Sequence, residues 1–213
     1  LTLVPETDRA YRLYSNDLGT PVARDQLLYD DKDEMFCLTM TKSGDDNFIM
    51  VNSAAQVTSE TLFLHANTDE NDTQLRVIMP RKEGVTYSAE SHNGKHFFVL
   101  TNENSKNNWL FRTPAPKPNS PQLDLISLRE TVIPHREFVL IEDFQVRRRH
   151  LVVFERSNCH QNVRVIELAS VGDVDSERRP EAPPCSIGLE PGPFDKYHYI
   201  SFSETVYSLL PGS

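Results

Sequence analysis

The chain has 213 residues, 38% of them hydrophobic, enough to bury a sizeable core in one or two domains. Its formal net charge of −9 excludes nucleic acid as a main partner, because phosphate binding needs a basic footprint. No apolar run approaches the roughly 20 residues of a membrane span. The widely spaced Cys37, Cys159 and Cys185 suit structural thiols in a reducing, cytoplasmic compartment better than a disulfide framework.

In chain order, the start Leu1-Thr2-Leu3-Val4-Pro5 carries no basic leader and no Met, and reads as the interior of a longer polypeptide. Short apolar segments then follow at 10–15, 26–29, 36–41, 47–52, 61–64 and 77–79. They continue at 87–91, 96–101, 108–111, 131–133, 140–144, 150–155, 163–166 and 197–206. The spacers have turn chemistry, as in Lys42-Ser43-Gly44-Asp45-Asp46 and in Asn93-Gly94, which suits a tight hairpin. No segment has a long apolar pattern at helical spacing.

The segments recur with a period. Leu27-Leu28-Tyr29-Asp30-Asp31-Lys32-Asp33-Glu34-Met35 meets Val77-Ile78-Met79-Pro80-Arg81-Lys82-Glu83-Gly84-Val85 after a shift of 50 residues. A further shift of 54 reaches Thr131-Val132-Ile133-Pro134-His135-Arg136-Glu137-Phe138-Val139. The runs beginning at Asn47, His96 and His150 keep nearly the same spacing, as do those at Thr61, Asn108 and Val163. Runs of four or five apolar residues rich in Phe, Val and Ile favour strands buried on both faces. Four such strands per repeat, A to D, predict an all-β protein of β-propeller blades, each with four antiparallel strands. A β-sandwich is the alternative.

The phase of the repeat places 10–15 as a strand C and 26–29 as a strand D, so the first blade is expected to lack its A and B strands. The segment 197–206 reads as a B strand leading into a C strand. The expectation is therefore a partial propeller over 1–213: an open arc of about four blades, at 34–83, 84–137 and 138–188, with partial blades at 1–33 and 189–213.

The motifs resemble the propeller of oligopeptidase B, in the prolyl oligopeptidase family of serine peptidases. The resemblance rests on the run from Gln26 to Glu34, on Val57 to Leu64, on Pro80-Arg81-Lys82-Glu83-Gly84-Val85-Thr86-Tyr87, and on Ile133 to Glu137 with Leu140 to Phe144 and His150 to Arg156. It covers about residues 3–168; Asn158-Cys159-His160 and the Pro-rich 179–184 depart from it. The resemblance implies a two-part enzyme. A seven-bladed propeller limits access to short peptides, and an α/β-hydrolase domain, absent from these residues, carries a Ser/Asp/His triad and cleaves after Lys or Arg.

No catalytic residue is found here: the glycines at 19, 44, 84, 94, 172, 188, 192 and 212 bracket no serine in the Gly-x-Ser-x-Gly pattern of a nucleophile elbow. No metal or cofactor site is expected. Cys159 and His160, read as strand neighbours, point to opposite faces, and His92 and His96, although they flank a turn, are equally well explained as polar turn residues. Asp30 to Glu34 lacks the glycine and closing glutamate of a calcium loop. Arg147-Arg148-Arg149 is either a solvated turn or a local basic patch, and Asn71-Asp72-Thr73 is a lone sequon.

The basic-acidic pairs Lys32-Asp33, Lys82-Glu83 and Arg136-Glu137 fall at one point of each blade and should share one propeller face. There they either line a central opening, contact a catalytic domain or pair within their own blade. Two functions remain: the gating part of an oligopeptidase B-like peptidase that meets short peptides and its own hydrolase domain, or part of a stand-alone propeller that binds proteins.

Overall fold

The computed structural model describes residues 2–4, 9–66, 74–118, 120, 123–168, 188–189 and 200–201. The first sheet contains β1 (Thr2–Val4), β2 (Arg9–Ser15) and β3 (Gln26–Asp30), in that order. The second contains β4 (Cys37–Lys42), β5 (Phe48–Ala54), β6 (Ser59–His65) and β7 (Arg76–Met79). The third repeats the plan with β8 (Tyr87–His92), β9 (His96–Thr101), β10 (Trp109–Pro114) and β11 (Glu130–Ile133). The fourth holds β12 (Leu140–Val146), β13 (His150–Ser157) and β14 (His160–Glu167). A short pair follows, β15 (Gly188–Leu189) with β16 (Ile200–Ser201).

Every pairing is antiparallel and each sheet is a meander in chain order. Among the described residues the only helix is one 3-10 turn, Val22–Arg24. The all-β blade architecture is therefore as the repeat predicts.

The apolar runs explain themselves once the sheets stack. Successive residues of a strand point to opposite faces, and here both faces are covered. Phe48 and Met50 of β5 join Phe97, Val99 and Phe111 in one core between the second and third sheets. Val51, the residue after Met50, points to the other face and packs with Leu13 and Leu62 against the first sheet. In β9, Phe98 and Leu100 turn the other way and meet Ile141, Phe144, Leu151 and Val153 of the fourth sheet. The aromatic centre is close-packed: the Phe97 ring centroid lies 4.8 Å from those of both Phe48 and Phe63.

Two expectations need correction. The first sheet does have a strand in the B position, because Leu3 pairs with Ala10 and Val4 with Arg9. At three residues, β1 is shorter than the runs that carry the repeat. Cys159 is not on a strand: Asn158 and Cys159, with φ of 49° and 65°, form the two-residue turn between β13 and β14, closed by the Ser157–His160 pair. That left-handed geometry is what a tight hairpin demands, whatever residue supplies it. The sequon, the Pro-rich 179–184 and most of 197–206 lie outside the described residues.

Candidate functional site at the linker end of the blades

In each complete sheet the first strand begins and the fourth ends at the same end, so the linkers between blades (31–36, 80–86 and 134–139) gather there with the turns between second and third strands. Hydrogen bonds seat the second and third linkers on the preceding sheet. Ser59 N–H donates to Val85 O at 3.0 Å, and Asn107 Nδ2 donates to Arg136 O at 3.0 Å and to Glu137 O at 2.6 Å.

A buried polar cluster joins the first two linkers. Asp31 is only 4% exposed, and Arg81 Nη2 donates to its Oδ2 at 2.8 Å, to Ser53 Oγ at 2.9 Å and to Tyr29 OH at 3.3 Å. Ser53 donates to the same carboxylate. The guanidinium carbon sits 3.5 Å from the Phe36 ring centroid, and Glu60 accepts the Arg81 backbone N–H at 3.0 Å. Burial pushes the Asp31 carboxyl up, but the bonds from Arg81, Ser53 and the Asp33 backbone outweigh it and hold it below its ordinary range. Asp31 and Arg81 occupy the same repeat position, 50 residues apart, just before the basic-acidic pairs. That coincidence was the available signal, but nothing in one-dimensional spacing shows that the two side chains meet.

The six residues singled out by the repeat do lie in these linkers, each with its own neighbours. Lys32 pairs with Asp30 of its own sheet, whereas Lys82 reaches Glu103 of the next sheet at 3.2 Å. Arg136 pairs with Glu155 of β13, which also takes Arg164 Nη2 at 2.6 Å. Asp33 Oδ1 caps the Met35 backbone N–H at 3.0 Å, and the Glu137 carbonyl is the one held by Asn107. Glu83 is exposed. Beside these ions, Met35, Val57 and Phe138 are 74%, 58% and 78% exposed, an apolar element on an otherwise charged end.

At the opposite end, His92 and His96 are indeed cross-strand partners, yet His92 Nε2 is spent on Arg148 O at 3.0 Å in the next sheet. Burial, then the charge of Arg112, holds the His96 imidazole below its usual range. Among the described residues no group of three or more His, Cys, Asp and Glu side chains is arranged to hold a metal ion. Cys37 and Cys159 are free and exposed, and no helix there is long and apolar enough to cross a membrane.

Residues 2–202 match the model of a family described as "Prolyl oligopeptidase, N-terminal beta-propeller domain". The chain is 29% identical over 201 residues to dipeptidyl aminopeptidase BI of Pseudoxanthomonas mexicana, covering 94% of this chain and 26% of that protein. Oligopeptidase B from Leishmania major has a similar structure, with a TM-score of 0.68 and 26% identity over 78% of this chain and 22% of that one. Oligopeptidase B from Trypanosoma brucei, with covalently bound antipain, gives 0.65 and 27% over 76% and 22%. The chain thus spans about a quarter of the length of the curated relative.

Proposed function

The chain belongs to the prolyl oligopeptidase family, as part of its N-terminal β-propeller domain, and from that membership we propose that it is the non-catalytic, substrate-gating segment of an oligopeptidase B-like serine peptidase. The observation that carries this reading is the family match over residues 2–202 on blades that lack a nucleophile elbow. The substrates are short peptides cleaved after Lys or Arg, and the triad lies in a hydrolase domain elsewhere in the polypeptide. The blades divide at 34–83, 84–137 and 138–188, flanked by the partial 1–33 and 189–213. The exposed thiols of Cys37 and Cys159 suit a cytoplasmic protein.

The linker end faces that hydrolase domain. A chain running through such blades enters at the start of a first strand and leaves at the end of a fourth, and both points lie at the linker end. A domain joined to the propeller at its entry and exit therefore attaches there, where Lys32, Asp33, Lys82, Glu83, Arg136 and Glu137 surround exposed Met35, Val57 and Phe138. Shielding the active site in this way excludes water and large substrates.

The test is hydrolysis by the full polypeptide of Arg- and Lys-linked reporter peptides of increasing length. Turnover that a serine-directed inhibitor abolishes, and that falls for long peptides, is expected. A full polypeptide without such turnover would leave a propeller that binds proteins.

A further inference from the structure

Asn93-Gly94 is the chain's one Asn-Gly pair, and such a pair carries a reaction of its own. Glycine has no Cβ to shield its backbone nitrogen, so that nitrogen can attack the asparagine side-chain carbonyl. The nitrogen gives up its proton and bonds to Cγ, the Cγ–Nδ2 bond breaks, and the side-chain nitrogen leaves as ammonia. Water then opens the cyclic imide to aspartate or isoaspartate, with no change of oxidation state. Asn93 is exposed in the turn between β8 and β9, open to the water that this step needs.

Both reacting groups are restrained. Lys95 N–H closes the turn by donating to His92 O at 3.1 Å, with φ of 54° at Asn93 and 64° at Gly94. Gly94 N–H donates to Asp45 Oδ2 of the second sheet at 2.7 Å. Burial pushes the Asp45 carboxyl up, but its hydrogen bonds outweigh this and keep it below its ordinary value, charged at neutral pH. An amide nitrogen that faces a carboxylate gives up its proton with difficulty, because the loss would set two anions side by side. The Asn93 side chain is held toward the preceding residue, its Nδ2 lying 3.1 Å from Nε2 of buried His92. That same Nε2 meets Arg148 O at 3.0 Å, so the asparagine amide rests on a ring anchored to the fourth sheet.

We propose that Asn93-Gly94 is a deamidation site guarded by Asp45, and that it opens when the second and third sheets part. While the blades are stacked, Gly94 N–H stays on the carboxylate and the imide does not form. Once the sheets separate, that N–H is released and Asn93 becomes reactive. The product does not restore the contact. Deamidation places a carboxylate one residue from the N–H that Asp45 must hold, and the two like charges repel. Isoaspartate also lengthens the turn by a backbone carbon, beside a glycine where even a Cβ would lie 3.0 Å from Asn47 Cγ. Asn93 thus converts a reversible parting of two blades into a permanent one.

The test incubates the full polypeptide at neutral pH and scores aspartate and isoaspartate at position 93 by mass spectrometry of its peptides. A synthetic peptide of residues 91–95 supplies the unguarded rate, and the parent should react far more slowly than it does. Asp45→Ala should deamidate about tenfold faster than the parent, as expected for the loss of one charge-assisted hydrogen bond. Asp45→Asn, which keeps an acceptor without the charge, should fall between them. Arg81→Met, destabilised at the other end of the blades with the Asp45 contact intact, should keep the parent's rate. Asn93→Asp should lower the Tm, and should lower it less in an Asp45→Ala background. A parent that deamidates as fast as the peptide, or Asp45 variants no faster than Arg81→Met, would overturn the guard. Slower reaction in Asp45→Ala would also overturn it, by making Asp45 the base that promotes the attack. An equal Tm loss from Asn93→Asp in both backgrounds would remove the repulsion that makes the parting permanent.

Discussion

Asp45, in the turn before β5, accepts the backbone N–H of Gly94 in the next sheet through Oδ2, at 2.7 Å. The same oxygen takes Ser91 Oγ–H at 2.7 Å, and Oδ1 takes Ser43 Oγ–H at 2.7 Å. Glu90 returns the contact by accepting Gly44 N–H at 2.8 Å. Two carboxylates thus clip together the turns of adjacent blades. Gly94 itself is constrained: its φ is +64°, and a Cβ would lie 3.0 Å from Asn47 Cγ.

Asp45→Ala strands Gly94 N–H and the Ser91 hydroxyl, and should cost about 1–3 kcal/mol in urea unfolding. The effect is pH-dependent. Burial pushes the Asp45 carboxyl up, but its hydrogen bonds outweigh that and leave it below the ordinary value of 3.8. Its stabilisation is therefore present above that value and lost as pH falls through the lower folded one. Glu90 is the opposite case, raised above 4.5 chiefly by burial, so its charged form is disfavoured at neutral pH. Glu90→Gln keeps an acceptor for Gly44 and should raise the Tm at pH 7 relative to its effect at pH 4. Equal Tm shifts at the two pH values would contradict this.

Tyr87 closes a gap in its neighbour. The register of β6 and β7 slips between Thr61 and Leu62, and the Tyr87 hydroxyl fills the break. It accepts Thr61 N–H at 2.6 Å and donates to Met79 O at 2.6 Å. Tyr87→Phe should cost about 1–3 kcal/mol, because the buried Thr61 N–H, Met79 N–H and Met79 carbonyl all lose the hydroxyl. Burial above all pushes the phenol up to about 12, so the stability it confers should decline only as pH rises from 10 toward that value. A Phe variant as stable as the parent would refute this role.

Phe97 is fully buried between two blades. Phe97→Ala should cost about 3–5 kcal/mol, the range for emptying a packed aromatic site. Unchanged melting would mean that the blades do not stack through β9.

Removing Arg81 leaves Asp31 buried without its counter-charge. Arg81→Met should cost about 3 kcal/mol, the low end for a broken buried pair because Arg81 is itself partly hydrated. Asp31→Asn/Arg81→Met should cost less than the sum of the single changes, and strict additivity in a double-mutant cycle would show that the two do not interact.

The blade architecture was legible because burial on both faces writes itself into consecutive residues such as Phe97, Phe98, Val99 and Leu100, and because the runs repeat. What escaped depends on contacts between repeats. The pairs Lys32-Asp33 and Lys82-Glu83 stood out by spacing, but the buried pairing belongs to Asp31 and Arg81, one residue earlier. Asp45 read as part of a polar turn, and only the stacking of two hairpins makes it a clip. Cys159 read as a strand neighbour of His160 because the turn that it forms with Asn158 is made without glycine. In three residues, β1 held too few side chains to show a pattern.

Blades that gate a catalytic serine carried elsewhere in the same polypeptide leave that serine open to covalent labelling. Treating the full polypeptide with a fluorophosphonate and mapping the adduct by mass spectrometry of its peptides should give one stoichiometric adduct on a serine outside these 213 residues, formed in step with the loss of Arg-reporter hydrolysis. An adduct on a serine within these blades, or full hydrolysis after complete labelling, would contradict it.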